Sequence, residues 1–317
     1  MKAFPYRILC SALLGLAALQ PAQAIVVNST FGAAGALAFG SGFSSVVQVT
    51  KGSSVCSGAV ISATAILTAQ HCTFGAVLSA LSVTFDQNGD GVFDQMFDQT
   101  NSVESKFEVP PTNNFLDGTD MAILTISGGL PAWATPFLLY AGDPFAELVT
   151  MVGFGGRGVE SVDNSMPLGV RWAAENIVDA VGTAPPFGRP TANIISTDFD
   201  NGTATANALS RWGSSATPLA REGTTAPGDS GGPLLFNRGG NFLIGGVLSA
   251  GMSGYGGYGD ISWWTGISMY RTEIESFGGR FYAAPTSNGV PEPGSLALSL
   301  LALLSVGAIG ARRNKAR

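Results

Sequence analysis

Charge is scarce in this sequence: only 12% of its 317 residues are Asp, Glu, Lys or Arg, and there is one histidine, His71, and three cysteines. A chain this apolar, at 45% hydrophobic residues, is excluded from the disordered class. Among the charged residues the basic ones are the fewer, 16 against 22 acidic. Between 25 and 290, ten of them face 21 acidic ones, a net charge near −11 that repels phosphate backbones and argues against a nucleic-acid partner. With a single imidazole, any general base acting near neutral pH has one candidate. What the chain has in abundance is glycine, 43 residues, with 17 prolines, too turn-rich for a helical bundle and suited to many short strands. The length allows one large domain or two ordinary ones.

Both ends read as addresses. Met1 to Ala24 has Lys2 and Arg7, an apolar run from Ile8 to Leu19, then Ala22-Gln23-Ala24, the form of a signal peptide cut after Ala24 by signal peptidase. The alternative is an N-terminal anchor, for which twelve apolar residues are short. At the other end stand Val290-Pro291-Glu292-Pro293, an apolar stretch from Gly294 to Ala311, and a basic tail of Arg312, Arg313, Lys315 and Arg317. Eighteen apolar residues can cross the bilayer, with the basic tail held on the cytoplasmic side. Segment 291–317 resembles the PEP-CTERM sorting signal of Gram-negative bacteria. That resemblance implies a transient inner-membrane anchor, removal by an exosortase, and delivery to the cell surface or extracellular matrix; a permanent single-span anchor is the alternative. Cys10 leaves with the leader, so Cys56 and Cys72 remain as one pair, expected to join in an oxidising compartment.

Between the tails, short β-branched runs read as strands at 45–50, 57–67, 81–85, 121–127, 148–154, 192–197, 233–236, 242–249 and 261–268. Gly, Asn, Asp and Pro clusters separate them, the pattern of antiparallel sandwiches and barrels. Pro136 to Pro144 reads as a linker between halves, and Ser268 to Phe277 as a terminal helix with one apolar face.

The chemistry sits in three places. His71 lies in Thr68-Ala69-Gln70-His71-Cys72, Asp120 opens Asp120-Met121-Ala122-Ile123-Leu124, and Ser230 lies in Gly228-Asp229-Ser230-Gly231-Gly232-Pro233. Glycines around a serine let the backbone bend sharply and aim amide N–H groups at one point, as stabilising a tetrahedral oxyanion requires. Together the three segments resemble the trypsin/chymotrypsin family of serine endopeptidases, in the family's own order His, Asp, Ser. Gln70 departs from the family's alanine; the Gly228 to Pro233 loop does not depart at all.

The resemblance implies an all-β fold of two antiparallel six-stranded barrels with a short C-terminal helix. Its parts would be a first barrel at 25–143, a second barrel with the helix at 144–280, and a linker at 281–290. Ser230 is then the nucleophile, His71 the base and Asp120 its partner, with Asp117, in a turn three residues earlier, as the rival acid. Backbone N–H groups of Gly228 and Ser230 form the oxyanion hole, and Cys56–Cys72 matches the disulfide beside the histidine. Ile25, freed by the leader cut, resembles the terminus that pairs with the buried acid, here Asp229; a frayed terminus is the alternative. By position, Thr224 forms the base of the specificity pocket and Ser249-Ala250-Gly251 its wall, so an uncharged first-site residue is expected, with protein or peptide substrates. Ala226 stands where relatives have a cysteine. A catalytically silent binding protein on the same scaffold is the competing reading.

No cofactor is required by this chemistry. A structural calcium is one reading of Asp86-Gln87-Asn88-Gly89-Asp90-Gly91-Val92-Phe93-Asp94, in which Asp86, Asn88, Asp90 and Asp94 follow the oxygen spacing of a calcium loop. Phe97 stands where the bidentate Glu belongs, with Asp98 one residue late, and an acidic hairpin turn is the other reading.

Overall fold

A computed structural model of the chain describes residues 25–110, 114–160, 168–187, 189–253 and 256–283. The expected leader, 1–24, the sorting segment, 291–317, and most of the 281–290 linker lie outside the described residues. Among the described residues no helix is long and apolar enough to cross a membrane.

In chain order the elements are β1 (Val26–Val27), α1 (Gly32–Gly40), β2 (Val46–Lys51), β3 (Ser54–Val60), β4 (Ala65–Thr68), β5 (Leu81–Phe85), β6 (Gln99–Glu108), β7 (Ala122–Ile126) and β8 (Leu138–Leu139). They continue with β9 (Leu148–Gly153), β10 (Gly158–Val159), β11 (Trp172–Ile177), β12 (Ala180–Ala184), β13 (Arg189–Asp198), β14 (Gly223–Thr224), β15 (Pro233–Arg238), β16 (Asn241–Gly251), β17 (Ile261–Gly266) and α2 (Arg271–Ser276). Among the described residues the fold is all-β with two short helices.

Alternation drives the first half. In β5, Leu81, Val83 and Phe85 are buried while Ser82 and Thr84 are half-buried, the period-2 pattern of a strand with one face on a core. Strands pair in the order β2-β3-β4-β7-β6-β5, and β5 returns to β2, closing a six-stranded barrel. Its interior is Val47, Val49, Val60, Ile66, Val83, Phe85, Leu124 and Ile126, none more than 1% exposed. Burying each such side chain stabilises by about 1.5–3 kcal/mol, and closure leaves no strand edge unpaired.

The second half departs from the expected second barrel. Its strands pair in the order β11-β9-β15-β16-β17-β13-β12, with β8 added beside β16, and the described residues do not close this sheet. Strand β14 lies in a separate three-stranded sheet, β10-β1-β14. From β11, Asn176 Nδ2 donates to the Asp198 carbonyl of β13 at 2.7 Å and to the Gly223 carbonyl of β14 at 2.9 Å.

Barrel and sheet share a core. Leu67, Met121 and Ile123 of the barrel pack with Val152, Leu235, Ile244 and Val247 of the sheet and with Ile274 of α2, the expected terminal helix in shortened form. Helix α1, unforeseen from the sequence, contacts β11. Gly40 at its end has no room for a Cβ, which would meet the Arg171 carbonyl oxygen and Trp172 Cα.

Candidate active site

His71 sits in a tight turn, Gln70–Cys72, directly after β4. The turn is closed by Thr73 N donating to the Gln70 carbonyl at 2.9 Å and is tied to β6 by Thr73 Oγ1 donating to Glu108 Oε1 at 2.6 Å. Gln70 is buried and donates through Nε2 to the Val109 carbonyl. Lys51 Nζ donates to the His71 carbonyl at 3.1 Å. The Cys56–Cys72 disulfide joins β3 to this turn.

Asp120, 1% exposed, faces the turn just ahead of β7. Its Oδ1 accepts His71 N at 2.9 Å, and its Oδ2 lies 2.7 Å from His71 Nδ1. With Nδ1–H donating to this carboxylate, His71 Nε2 is left as the basic nitrogen. Asp117, the rival acid, is spent on its own turn, accepting Thr119 N at 3.0 Å and Thr119 Oγ1 at 2.6 Å. Ser249 Oγ lies 2.6 Å from Asp120 Oδ2 and 2.9 Å from the Phe115 carbonyl.

Ser230 approaches from the second half. The bend from Gly228 to Gly232 is possible only for glycine at its tightest points. Gly231 has φ +83°, and a Cβ there would run into Thr68 Oγ1 and the Ser57 carbonyl oxygen. The N–H groups of Asp229, Gly231 and Gly232 are taken up by the carbonyls of Ala226, Leu248 and Asp229. Among the described residues those of Gly228 and Ser230 have no acceptor, so the two expected oxyanion donors are available.

Ser57, fully buried in β3, clamps this bend: its N donates to the Ser230 carbonyl at 2.8 Å and its Oγ to the Gly228 carbonyl at 3.1 Å. Nothing in the sequence flagged it beyond its place after Cys56.

His71, Ser230, Ser249 and Gly251 line one cleft of about 330 Å³. His71 Nε2 is 3.7 Å from Cys72 Sγ, which is 3.6 Å from the Ser230 carbonyl oxygen. Among the described residues Ser230 Oγ makes no hydrogen bond. Of the expected pocket residues, Ser249 and Gly251 line the cleft, whereas Thr224 lies just behind it. Thr224 and Thr225, each 1% exposed, both lie with Oγ1 near Ser262 Oγ, at 3.1 and 2.7 Å, and Thr225 reaches the lining of the cleft. Phe115 and Met252, not singled out from the sequence, also line it, and the Phe115 ring stands edge-on to His71 at 5.0 Å.

Residues 36–164 match the Trypsin family model. The match marks a serine endopeptidase of trypsin-like type. The matched stretch holds Cys56, His71, Cys72 and Asp120 and stops short of Ser230. No curated protein matches the chain.

Asp229 lies under the bend, 1% exposed, its carboxylate accepting Ala226 N at 3.0 Å and Gly155 N at 3.1 Å. Burial drives its pKa well above the usual carboxylate range, and among the described residues no cationic side chain pairs with it. Ile25 is fully buried, and Val26 after it pairs with Thr224 on one side and Gly158 on the other.

The 86–98 loop is held by its own backbone. Asp86 accepts Gly89 N and Gly91 N, Asp90 accepts Val92 N and Asn88 Nδ2, and Asp94 accepts Met96 N. Among the described residues, Cys56, His71 and Cys72 are the only such trio with ligand atoms within 4.8 Å of one another, and its two sulfurs are bonded together; Asp86, Asp90 and Asp94 do not converge in this way. A cation is nonetheless present beneath the loop: Arg171, fully buried, donates to the carbonyls of Gly40, Val46, Asp86 and Gln87.

Proposed function

We propose that the chain is an exported endopeptidase that cleaves peptide bonds through an acyl-enzyme on Ser230. The observation that carries the reading is one cleft lined by His71 and Ser230, with the histidine's far nitrogen locked to buried Asp120.

In the first step Ser230 Oγ bonds to the scissile carbonyl carbon as its proton passes to His71 Nε2, and Asp120 stabilises the imidazolium. The oxyanion forms facing the Gly228 and Ser230 N–H groups. Collapse breaks the C–N bond, and the proton on Nε2 goes to the leaving amine. Water, deprotonated by His71, then releases the acyl group and restores Ser230.

The cleft lining supports an uncharged first-site residue: Thr225, Ala226, Leu248, Gly251 and Met252 contribute to it, and apart from His71 no titratable side chain does among the described residues. Activation belongs to the same reading. A leader cut after Ala24 would leave an α-ammonium on Ile25, the cation that buried Asp229 lacks. One extra residue ahead of Ile25 is expected to abolish activity, and full activity in that variant would refute this part. The C-terminal segment supports surface sorting with an exosortase as processing partner; mass spectrometry of the exported protein for loss of 291–317 tests it.

The direct test is a fluorophosphonate probe on the purified protein. Labelling at Ser230, lost in Ser230→Ala and in His71→Ala, is the expected result. An unlabelled, folded wild-type protein would favour the silent binding protein, the reading that the unbonded Ser230 Oγ also allows.

A further inference from the structure

The two N–H groups offered to the oxyanion belong to peptide planes whose carbonyls are held from the other side. In a trans peptide the carbonyl and the N–H point in opposite directions, so a hydrogen bond to one aims the other. The Gly228 N–H shares its plane with the Pro227 carbonyl, which accepts Gly156 N at 3.2 Å. The Ser230 N–H shares its plane with the Asp229 carbonyl, which accepts Gly232 N at 2.7 Å.

Between those two planes lies the Gly228–Asp229 peptide. Its N–H, on Asp229, donates to the Ala226 carbonyl at 3.0 Å, and its carbonyl, on Gly228, accepts Ser57 Oγ at 3.1 Å. Gly228 has φ +99°, and a glycine has little steric preference of its own, so these bonds must hold the plane.

The Ser57 hydroxyl is itself oriented. Phe154 N donates to Ser57 Oγ at 2.9 Å, which occupies a lone pair and leaves the hydroxyl proton for Gly228. Ser57 is fully buried, and Thr68 Oγ1 donates to its carbonyl at 2.7 Å. The approach is close: a Cβ on Gly155, next to Phe154, would lie 2.6 Å from Asp229 N and 2.8 Å from Gly228 C. One serine of β3 thus joins the first barrel, the end of β9 and the nucleophile bend, although it does not line the cleft.

We propose that Ser57 is a positioning residue for the oxyanion hole, its hydroxyl holding the Gly228–Asp229 peptide so that the N–H groups on either side stay turned toward the developing charge. The proposal rests on the acyl-enzyme reading. Its effect belongs to the tetrahedral state, in which the oxygen carries charge, and therefore to kcat and not to KM.

The test compares Ser57→Ala with wild type on the purified full chain, using two ligands of one peptide sequence with an apolar first-site residue. A trifluoromethyl ketone bonds its carbonyl carbon to Ser230 Oγ, whose proton passes to His71 while the carbonyl electron pair moves onto the oxygen as an oxyanion. A carboxamide of the cleaved product forms no such bond. Ser57→Ala is expected to lower kcat and ketone affinity by about tenfold each, with KM and carboxamide affinity unchanged. The loss is smaller than the roughly 100- to 1,000-fold that follows removal of an oxyanion donor, because both N–H groups remain.

Wild-type kcat and ketone affinity in folded Ser57→Ala would overturn the proposal, as would an equal loss of carboxamide affinity, which marks a general distortion of the cleft. Should Ser57→Ala lack the wild-type circular dichroism, Ser57→Gly removes the same hydroxyl and gives the same readout; failure of both to fold would mean that the hydroxyl serves the fold, and equally overturns it. A folded wild type that neither hydrolyses peptide nor takes up the ketone refutes the acyl-enzyme reading and this proposal with it, whereas failure of the proposal alone leaves the wild type active.

Discussion

Ser249 Oγ lies 2.6 Å from the same Asp120 oxygen that His71 Nδ1 reaches at 2.7 Å. With His71 N on the other oxygen, the carboxylate is gripped from both barrel and sheet, which fixes the imidazole plane. Ser249 gets there because β16 slips register against β17 between Leu248 and Ala250, turning its side chain away from the regular pleat.

Ser249→Ala is therefore expected to lower kcat about tenfold, the loss of one charge-assisted hydrogen bond of ~1.5 kcal/mol, with little change in KM. Steady-state hydrolysis of a peptide with an apolar first-site residue checks it. An unchanged kcat would mean that His71 alone orients Asp120.

The disulfide closes a loop of 16 residues' separation. Replacing Cys56 and Cys72 by Ser should cost on the order of 3 kcal/mol in the chain-entropy view and loosen the His71 turn. Urea unfolding monitored by tryptophan fluorescence should show the midpoint falling, and kcat should fall with it. A midpoint equal to wild type would place the stability of this turn in Thr73 and Gln70 instead.

Asp260 is buried behind the cleft wall, accepting Ser253 N at 2.8 Å and Ser253 Oγ at 2.9 Å. Burial raises its carboxyl from 3.8 to about 6, against the lowering effect of those bonds. The folded chain thus holds this proton more tightly than the unfolded chain. The stability it contributes is fully present below pH about 4 and lost as pH rises to about 6, on the order of 3 kcal/mol. Urea unfolding of Asp260→Asn should lack that decline between pH 4 and 6, and parallel pH curves for the two proteins would contradict it.

Arg171→Met should destabilise strongly, by about 3–5 kcal/mol, because it strands four buried carbonyls and leaves Asp86 without its cation. The change should appear as a lower urea midpoint and as faster hydrogen exchange in residues 86–98. Wild-type exchange in that loop would show that its internal Asp-to-backbone bonds suffice.

Much of this was legible in one dimension. Alternation and turn residues located most strands, and the glycines at 228 and 231 announced a bend that no residue with a side chain could make. Strand β6 was missed because Gln99–Glu108 presents mostly polar residues on an outer barrel face, so its periodicity carries little apolar signal. The run read as one strand at 57–67 is two, β3 and β4, split by a turn at 61–64. The cleft floor was not legible at all, because Thr224 and Thr225 both turn their hydroxyls to Ser262, a contact across 38 and 37 residues that only the tertiary structure supplies.

By itself, then, the amino-acid order determined the residue types available for chemistry, one imidazole, one glycine-bound serine and an acid ahead of a strand, because such motifs depend on local backbone geometry and side-chain identity. Only the tertiary structure decided how Ser57 clamps the bend at Ser230, that the second sheet is not closed among the described residues, and where buried carboxylates gather without a basic partner among them. Those outcomes depend on desolvation and on contacts between segments a hundred or more residues apart, energies that no local pattern encodes.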